Sequence, residues 1–450
     1  MTRFFAGSAM ALILSAGYAS AEDMIFAPGE GPFNWESLDA FAASHDLSGQ
    51  ELTIFGPWLA GEGRAFENLL AYFNDATGAS AVYTGSDSLE QQIVIDAEAG
   101  SAPDITVFPQ PGLAANMASR GFLSPLPEGT EDWVNANYAA GESWVDLGTY
   151  GDTDDQPQHY GFFFNVNVKS LVWYIPENFE DLGVDVPTTM EELKDLTQLI
   201  ADEGETPWCI GLGSGGATGW PATDWVEDMM LRTQPPAVYD EWVSNDMSFD
   251  DPRVVAAIEE FGWFARNDDY VSGGAGALAA TDFRDSPKGL FAAPPQCYMH
   301  RQASFIPAYF PEGSVLGEDV DFFYFPAYAE KELGTPVLGA GTLFAITNDN
   351  PANAALFEFL QTPFAHEVMM AQDGFLTPMK AANPEAYTNA TQRGQGEILT
   401  NATTFRFDGS DLMPGGVGAG SFWTGMVDYS GGASAEEVAA AIQASWDALK

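Results

Sequence analysis

The sequence predicts an α/β protein with two lobes. The chain has 450 residues and 46% apolar content, and a single hydrophobic core stops growing at roughly 250–300 residues, so we expect more than one core. Residues 51–108 alternate between strand and helix patterns, which is typical of an open parallel sheet. Residues 159–193 then predict a crossing to a second α/β unit.

The first unit alternates apolar runs of strand length with apolar residues at helical spacing. We predict a helix at 35–41, strands at 51–55, 80–84 and 104–108, and helices at 65–73 and 89–99. Gly78 is expected to end the helix before it. In such a sheet the ligand crevice lies at the carboxyl ends of the strands.

The crossing contains two apolar runs of strand length, at 162–166 and 171–173. Four polar residues lie among them: Asn165, Asn167, Lys169 and Ser170. A buried strand rarely carries so many polar side chains, because each needs a hydrogen-bond partner. We therefore expect one side of this strand pair to face water or a ligand.

The second unit begins with a helix that Thr188 or Thr189 can cap. We predict helices at 190–203, 220–232, 252–266, around 283–291, at 351–370 and at 435–449, and strands at 208–210, 297–300, 321–326 and 335–346. A glycine loop at 211–219 precedes the second of these helices.

The N-terminus has the pattern of a secretory signal peptide. Arg3 precedes a mostly apolar run at 4–17, and Ala19-Ser20-Ala21 has the small-x-small pattern of a cleavage site. The apolar run is shorter than the ~20 residues that a membrane span needs, which argues against an anchor. We expect cleavage after Ala21 and a mature chain in the periplasm.

Cys209 and Cys297 are the two cysteines of the chain. In an exported protein an even count favours a disulfide, although two buried free thiols remain an alternative. Neither cysteine belongs to a CxxC pair and the four histidines are scattered. We therefore expect no metal site of zinc type and no cofactor.

The charge is strongly negative, with 65 acidic and 16 basic residues and a formal net charge of −49. This balance excludes nucleic acid as a partner, because phosphates would be repelled. The acids are spread along the chain, and 13% of the residues are aromatic, so a disordered polyacid is a poor fit. A saline medium, which screens self-repulsion, is one explanation. Calcium binding by acidic loops, such as residues 408–411, is the other explanation.

Two short motifs suggest enzymes only by their spelling, and a third is absent. The run from Gly211 to Gly216 matches GxGxxG, but the helix after it is delayed and no acidic residue follows at the expected distance. His366-Glu367 begins a zinc-protease pattern, yet Met370 stands where the second histidine is required. No GxSxG occurs, so the serine-hydrolase elbow is absent.

Aromatic residues beside predicted strand ends are better candidates for a ligand site. They are Trp58, Phe108, Trp220, Trp225, Phe305 and Trp423. For each of these rings, the alternative is a place in the hydrophobic core. Several nevertheless lie next to Gly, Pro, Asn, Gln or Arg in turns, where α/β sheets expose their crevice. Such rings stack on the apolar faces of sugars, while polar side chains match the hydroxyls.

Longer segments resemble the periplasmic alpha-glucoside-binding proteins of ABC importers, in the maltose-binding-like family of extracellular solute-binding proteins. The resemblance covers nearly all of residues 47–450 and rests on LTIFGPW, QQIVIDAEAGSAPDITVFPQPG, KSLVWYIPENFEDLGVDVP, PWCIGLGSGGATGWPATDWVEDMMLRTQP and TTFRFDGSDLMPGGVGAGSFWTGMVD. It implies a type II periplasmic binding protein fold, with a mostly parallel sheet flanked by helices in each lobe and three hinge crossings. It also implies sugar binding without catalysis.

The resemblance also implies the site residues. Trp58 and Glu62 match the first sugar loop, Gln110 matches the loop after the third strand, and Asn167 takes a hinge-side position that is acidic in the family. The matching positions in the second lobe are Trp220, Arg301, Gln302, Phe305 and Trp423. Asp87, after the second strand, and Asp224, in the helix after the glycine loop, complete the predicted substrate-binding set.

We therefore predict a monomeric receptor that delivers an alpha-glucoside to an ABC permease. A secreted glycoside hydrolase and a partner of a sugar-sensing chemoreceptor are the alternatives. After the signal peptide at 1–21, we assign 22–164 and 331–375 to the first lobe. We assign 165–330 and 376–450 to the second lobe.

Overall fold

A computed structural model describes residues 24–139, 141–372 and 374–449. The predicted signal peptide at 1–21 lies outside these residues. Within the described ranges, no helix combines the length and the apolar character that a membrane crossing requires.

Strands and α-helices alternate through most of the described chain. The strands are β1 Glu51–Gly56, β2 Ser80–Gly85, β3 Ile105–Phe108, β4 Thr149–Gly151, β5 Pro157–His159, β6 Phe162–Phe163, β7 Asn167–Val168, β8 Leu171–Tyr174, β9 Met299–Arg301, β10 Asp321–Tyr324, β11 Pro336–Ala340, β12 Leu343–Ile346 and β13 Thr404–Phe407. The α-helices are α1 Trp35–Ser44, α2 Ala60–Thr77, α3 Leu89–Ala99, α4 Pro111–Ser119, α5 Thr130–Asn137, α6 Gly141–Leu147, α7 Pro176–Leu182, α8 Met190–Asp202, α9 Trp220–Thr233, α10 Pro236–Val243, α11 Pro252–Ala265, α12 Asn353–Leu360, α13 Pro363–Met370, α14 Ala390–Asn401, α15 Gly409–Leu412, α16 Trp423–Ser430 and α17 Ala435–Asp447.

The first lobe is built on a five-stranded sheet in the order β2-β1-β3-β12-β6. Strands β1, β2 and β3 are parallel, as the strand and helix alternation predicted, while β12 runs antiparallel to β3 and β6. Strand β3 is buried along its whole length, because helices cover both faces of such a sheet. The carboxyl ends of β1, β2 and β3 therefore meet at one edge.

The second lobe contains two three-stranded sheets, β10-β8-β9 and β13-β11-β7. Strand β8 is antiparallel to both of its neighbours, and β11 is parallel to β13 but antiparallel to β7. The strand pairing in this lobe is therefore mixed. The expectation of a mostly parallel sheet in this lobe is wrong. The physical reason is that several of these strands enter from the other lobe or from long loops, so they are not products of repeated βαβ units.

Two long predicted elements are each divided in the structure. The predicted strand at 335–346 becomes β11 and β12, because Thr342 turns the chain by donating from its amide and hydroxyl to Asn165 Oδ1. The predicted helix at 351–370 becomes α12 and α13, because Thr362 caps a new helix that has Pro363 in its first turn. The predicted strand at 208–210 forms only isolated bridges, through Trp208.

Three chain segments lie side by side where the chain crosses between the sheets. Phe164 N donates to Thr342 O at 3.2 Å, and Val166 N donates to Leu376 O at 2.9 Å. Within 331–375, β11 pairs with β7 and β13, whereas β12 pairs with β3 and β6. The exact lobe boundaries stay a prediction.

A disulfide joins Cys209 to Cys297 within the second lobe, with the two Cα atoms 5.4 Å apart and a sequence separation of 88. Cys297 leads into β9, and Cys209 N donates to Met299 O at 2.8 Å. The disulfide therefore ties the segment after α8 to β9.

We expect the thermal stability of the protein to rise with ionic strength. The chain carries 65 acidic residues and only 16 basic ones, and repulsion among exposed carboxylates is strongest when salt is low. Melting curves at 0.05 M and 1 M NaCl should differ by a midpoint increase on the order of a few degrees. A midpoint that stays constant or falls would show that self-repulsion does not limit stability.

Candidate functional site

A cavity with about 820 Å³ of empty space, part of it open to solvent, lies between the two lobes. Its wall is formed by residues of both lobes: Pro57, Trp58, Glu62, Ser86, Asp87, Glu90, Pro109, Gln110, Asn167, Lys169, Ser214, Ala217, Trp220, Asp224, Phe283, Arg284, Phe305, Ala340, Gly341, Thr342, Asp408, Ser410, Asp411 and Trp423. We call it the main cavity. The lobes touch beside it, where Gly216 N donates to Asp87 O at 3.1 Å.

The topology places the first-lobe residues at the carboxyl edge of the sheet. Trp58 follows β1, Asp87 follows β2 and Gln110 follows β3, as expected for an α/β crevice. Glu62 lies in the first turn of α2. These positions bring side chains that are far apart in sequence to one wall of the cavity.

The second-lobe wall depends on a close approach between two chain segments. Gly219 precedes α9 with φ +115°, and a Cβ atom there would lie 2.2 Å from the carbonyl oxygen of Trp423. Only glycine fits this contact and this backbone conformation. The approach brings the N-terminus of α9, with Trp220, next to Trp423 in the cavity wall.

Most of the predicted substrate-binding residues line the main cavity, and two do not. Trp58, Glu62, Asp87, Gln110, Asn167, Trp220, Asp224, Phe305 and Trp423 contribute to its wall. Arg301 lies behind the wall, where its Nη2 donates to Asp224 O and to Asp228 Oδ2. Gln302 is 2% exposed, and its Oε1 accepts from Ala303 N. Both are therefore corrected as residues of the cavity wall: Arg301, the last residue of β9, faces a buried charge network, and Gln302, which follows β9, bonds to the next residue.

Several wall residues were missing from the predicted set, chiefly charged ones: Glu90, Lys169, Arg284, Asp408 and Asp411. The polar interruptions in the crossing were a signal for Lys169. In the sequence, the acidic residues at 408–411 suggest only a calcium site. Nothing in the local sequence distinguishes Arg284 or Glu90 from surface charges.

Lys169 holds two buried carboxylates of the cavity wall. Its Nζ donates to Asp224 Oδ1 at 2.9 Å and to Asp408 Oδ2. Burial raises the pKa of Asp224 to about 7, although Lys169 opposes the shift. Burial also opposes the ionised form of Asp408, but Lys169 and hydrogen bonds to its carboxylate hold its pKa below the ordinary value. The lysine is therefore the internal counterion of this wall.

The carboxylates of Asp224, Glu227 and Asp408 lie close enough together to hold a metal ion. Each, however, already accepts hydrogen bonds from the protein. Lys169 Nζ donates to Asp224 and Asp408, and Glu227 accepts from Gly409 N and Ser410 N at 2.9 Å each. A cation would have to displace the ammonium group, so this cluster is better explained as a self-neutralised network.

Four buried polar atoms of the wall have no hydrogen-bond partner among the described residues. They are Gln110 Oε1, Asn167 Oδ1, Asp224 Oδ2 and Trp423 Nε1. A buried polar group without a partner costs roughly 1–3 kcal/mol. Three acceptors and one donor, contributed by both lobes, therefore favour a ligand with several hydroxyl groups.

Glu62 connects the lobes through Tyr309, whose hydroxyl donates to Glu62 Oε2. Burial raises the pKa of Glu62 to about 7, while the hydrogen bond from Tyr309 and the charge of Arg284 oppose that rise. The carboxyl group of Glu62 therefore changes its charge near neutral pH at the boundary between the lobes.

Replacing Glu62 by glutamine should make the stability less dependent on pH. Between pH 4.5 and about 7 the folded protein keeps a proton at Glu62 that the unfolded chain loses, so its contribution to stability falls as pH rises through this window. Glu62→Gln should gain up to about 3 kcal/mol over the wild type at pH 8 and little at pH 4.5. Urea denaturation at both pH values measures this.

Glu67→Gln is the matched control, because it removes one negative charge from the exposed face of the same helix. An equal pH-dependent gain in both variants would contradict a special role for Glu62.

The chain matches the family of bacterial extracellular solute-binding proteins over residues 56–370. It is 62% identical over 432 residues to the alpha-glucosides-binding periplasmic protein AglE of Rhizobium meliloti (strain 1021), covering 96% of this chain and 94% of that protein. It is 42% identical to the osmoprotective compounds-binding protein GgtB of Synechocystis sp., over 89% of this chain and 93% of that one.

Solved structures share the fold at low sequence identity. The bacterial solute receptor AcbH superposes with a TM-score of 0.76 at 16% identity, covering 89% of this chain and 99% of that chain. Maltose-bound MalE3 of T. maritima superposes with a TM-score of 0.67 at 14% identity, covering 89% and 100%. These likenesses confirm the predicted two-lobed binding protein fold.

Proposed function

The chain belongs to the bacterial extracellular solute-binding proteins, and from this premise we propose that it is the sugar receptor of an ABC importer. An alpha-glucoside binds in the main cavity, and the closed receptor delivers it to a membrane permease. The receptor is exported to the periplasm by its N-terminal signal peptide, cleaved after Ala21. It acts as a monomer, without catalysis and without nucleic acid.

The observation that carries this proposal is the set of unpartnered polar atoms between aromatic rings in one cavity wall. Gln110 Oε1, Asn167 Oδ1 and Trp423 Nε1 have no hydrogen-bond partner among the described residues, and Asp224 Oδ2 has only an ion pair with Arg301 at 3.7 Å. These acceptors and this donor match the mixed hydroxyls of a sugar. Trp58 and Trp220 supply apolar surface beside them. The 62% identity to a protein named for alpha-glucosides supports the ligand class.

Both lobes supply contacts to the ligand, so binding favours the closed form. A ligand shifts an equilibrium between open and closed forms only through contacts that the open form lacks. Gln110 lies on the first lobe and Asp224 on the second, and an open receptor cannot offer both to one sugar. Closure is thus the signal that the permease reads.

A calorimetric titration with sucrose, maltose and trehalose tests the proposal. At least one alpha-glucoside should bind with 1:1 stoichiometry and raise the melting temperature. Glucose should not accumulate during the incubation, which separates a receptor from a glycoside hydrolase. Absence of heat with every glucoside would overturn the ligand class, and release of glucose would overturn the receptor function.

A further inference from the structure

A second cavity of about 400 Å³ adjoins the main cavity. Both cavities have Trp58, Glu62 and Phe305 in their walls, so one molecule can extend from one into the other. The remaining wall of the second cavity comes from the start of α2, the loop after Phe305 and the segment around the end of α13.

The walls of the second cavity are mainly apolar: Trp58, Ala65, Phe305, Ala308, Met369 and Phe375. Its polar wall residues, Glu62, Asn165 and Gln372, already use most of their hydrogen-bonding atoms within the protein, and Glu62 Oε2 accepts from the Tyr309 hydroxyl. Asn165 Oδ1 accepts from the amide and hydroxyl of Thr342. Gln372 Oε1 accepts from Asn68 Nδ2, and its Nε2 donates to Ala65 O. The two cavities therefore differ in chemistry: the wall of the second is mainly apolar, whereas the wall of the main cavity contains buried polar atoms without hydrogen-bond partners.

A sugar ring would be a poor occupant of this second cavity. Its several hydroxyls would lose their hydrogen bonds to water and find only a few partners among the described wall residues, which is costly. An apolar group gains instead from the area that it removes from water.

Both lobes form the second cavity, and they meet at a contact that only glycine permits. A Cβ atom at Gly61 would lie 2.3 Å from Ala308 O. Because the first lobe supplies Ala65 and the second supplies Phe305, an apolar group placed there contacts both lobes only in the closed form. It would therefore add to the preference for closure.

From this contrast we infer that the second cavity takes the apolar aglycone of an alpha-glucoside, that is, an aryl or alkyl group on the anomeric oxygen, while the sugar ring occupies the main cavity. The inference rests on the proposed function and narrows its substrate class to glucosides that include apolar conjugates. The recognition elements are Trp58 and Phe305 at the junction and Ala65 and Met369 deeper in the second cavity.

Calorimetry with methyl and phenyl alpha-D-glucopyranoside tests the inference. In the wild type, the phenyl glucoside should bind about tenfold more tightly or better, because an aromatic ring leaves water. Ala65→Leu fills the second cavity and should remove most of this advantage while the methyl glucoside binds as before. Ala65→Gly leaves the second cavity open, serves as the matched control and should keep the advantage.

Three outcomes decide against the inference. Equal affinities for the two glucosides in the wild type would overturn it and leave the proposed function standing. An undiminished advantage in Ala65→Leu would place the phenyl group elsewhere and also overturn it. Failure of both glucosides, together with sucrose, maltose and trehalose, would overturn the proposed function and this inference together.

Discussion

Replacement of Lys169 by methionine should lower the free energy of unfolding by about 3–5 kcal/mol at pH 8. The Lys169 side chain is 7% exposed, and the carboxylates of Asp224 and Asp408 that it pairs with are each 1% exposed. Without the ammonium group these carboxylates become buried charges close to one another, and only Arg301, 3.7 Å from Asp224 Oδ2, remains as a nearby cation. The loss should be smaller at pH 5, because a proton can then replace the missing positive charge.

Urea denaturation of the wild type and of Lys169→Met at both pH values measures the effect. Lys288→Met is the matched control, because Lys288 and its partner Asp285 are 54% and 65% exposed. An exposed pair contributes roughly 0–1 kcal/mol. Adding Asp408→Asn to Lys169→Met should restore part of the lost stability. Equal losses in the two lysine variants would contradict the role of Lys169 as the internal counterion.

Replacement of Trp423 by alanine should weaken the binding of an alpha-glucoside by about tenfold to a hundredfold, or roughly 1–3 kcal/mol. The residue is 2% exposed, lines the main cavity, and has an indole Nε1 without a partner among the described residues. It also belongs to none of the three hydrophobic clusters of the described chain. The ring is therefore expected to contribute mainly to the ligand.

Trp242→Ala is the matched control for Trp423→Ala. Trp242 is fully buried against Tyr239, Phe249 and Phe422, so its loss should cost about 3–5 kcal/mol of folding stability. Affinity should be unchanged in the fraction of that variant that remains folded. Calorimetry paired with denaturation separates the two effects. Unchanged affinity with lost stability in Trp423→Ala would assign this ring to the core.

Local sequence determined most of the secondary structure of the first lobe. The predicted helix 89–99 matches α3, and the strands at 51–55, 80–84 and 104–108 match β1, β2 and β3 within one residue at each end. These elements follow from apolar periodicity and from glycine ends, which are properties of neighbouring residues. The division of 335–346 into two strands was missed, because it depends on Asn165, far away in the chain.

Position relative to the strand ends identified much of the candidate site. Trp58, Asp87 and Gln110 could be placed because parallel strands bring their carboxyl ends to one edge. Arg301 and Gln302 were misplaced, since the sequence around the end of β9 does not show that their partners are Asp224, Asp228 and the amide of Ala303. Lys169 carried a weak signal as a polar residue among apolar runs, but nothing in the sequence indicates that Asp224 and Asp408 pair with it.

The sequence by itself thus determined the family, the α/β alternation and the region of the cleft, because those depend on local patterns and on long shared segments. Tertiary structure alone decided which charges neutralise one another. Lys169 is 55 positions from Asp224 and 239 positions from Asp408. Whether such groups meet depends on burial and chain topology, which also determine which polar atoms of the wall are left for a ligand.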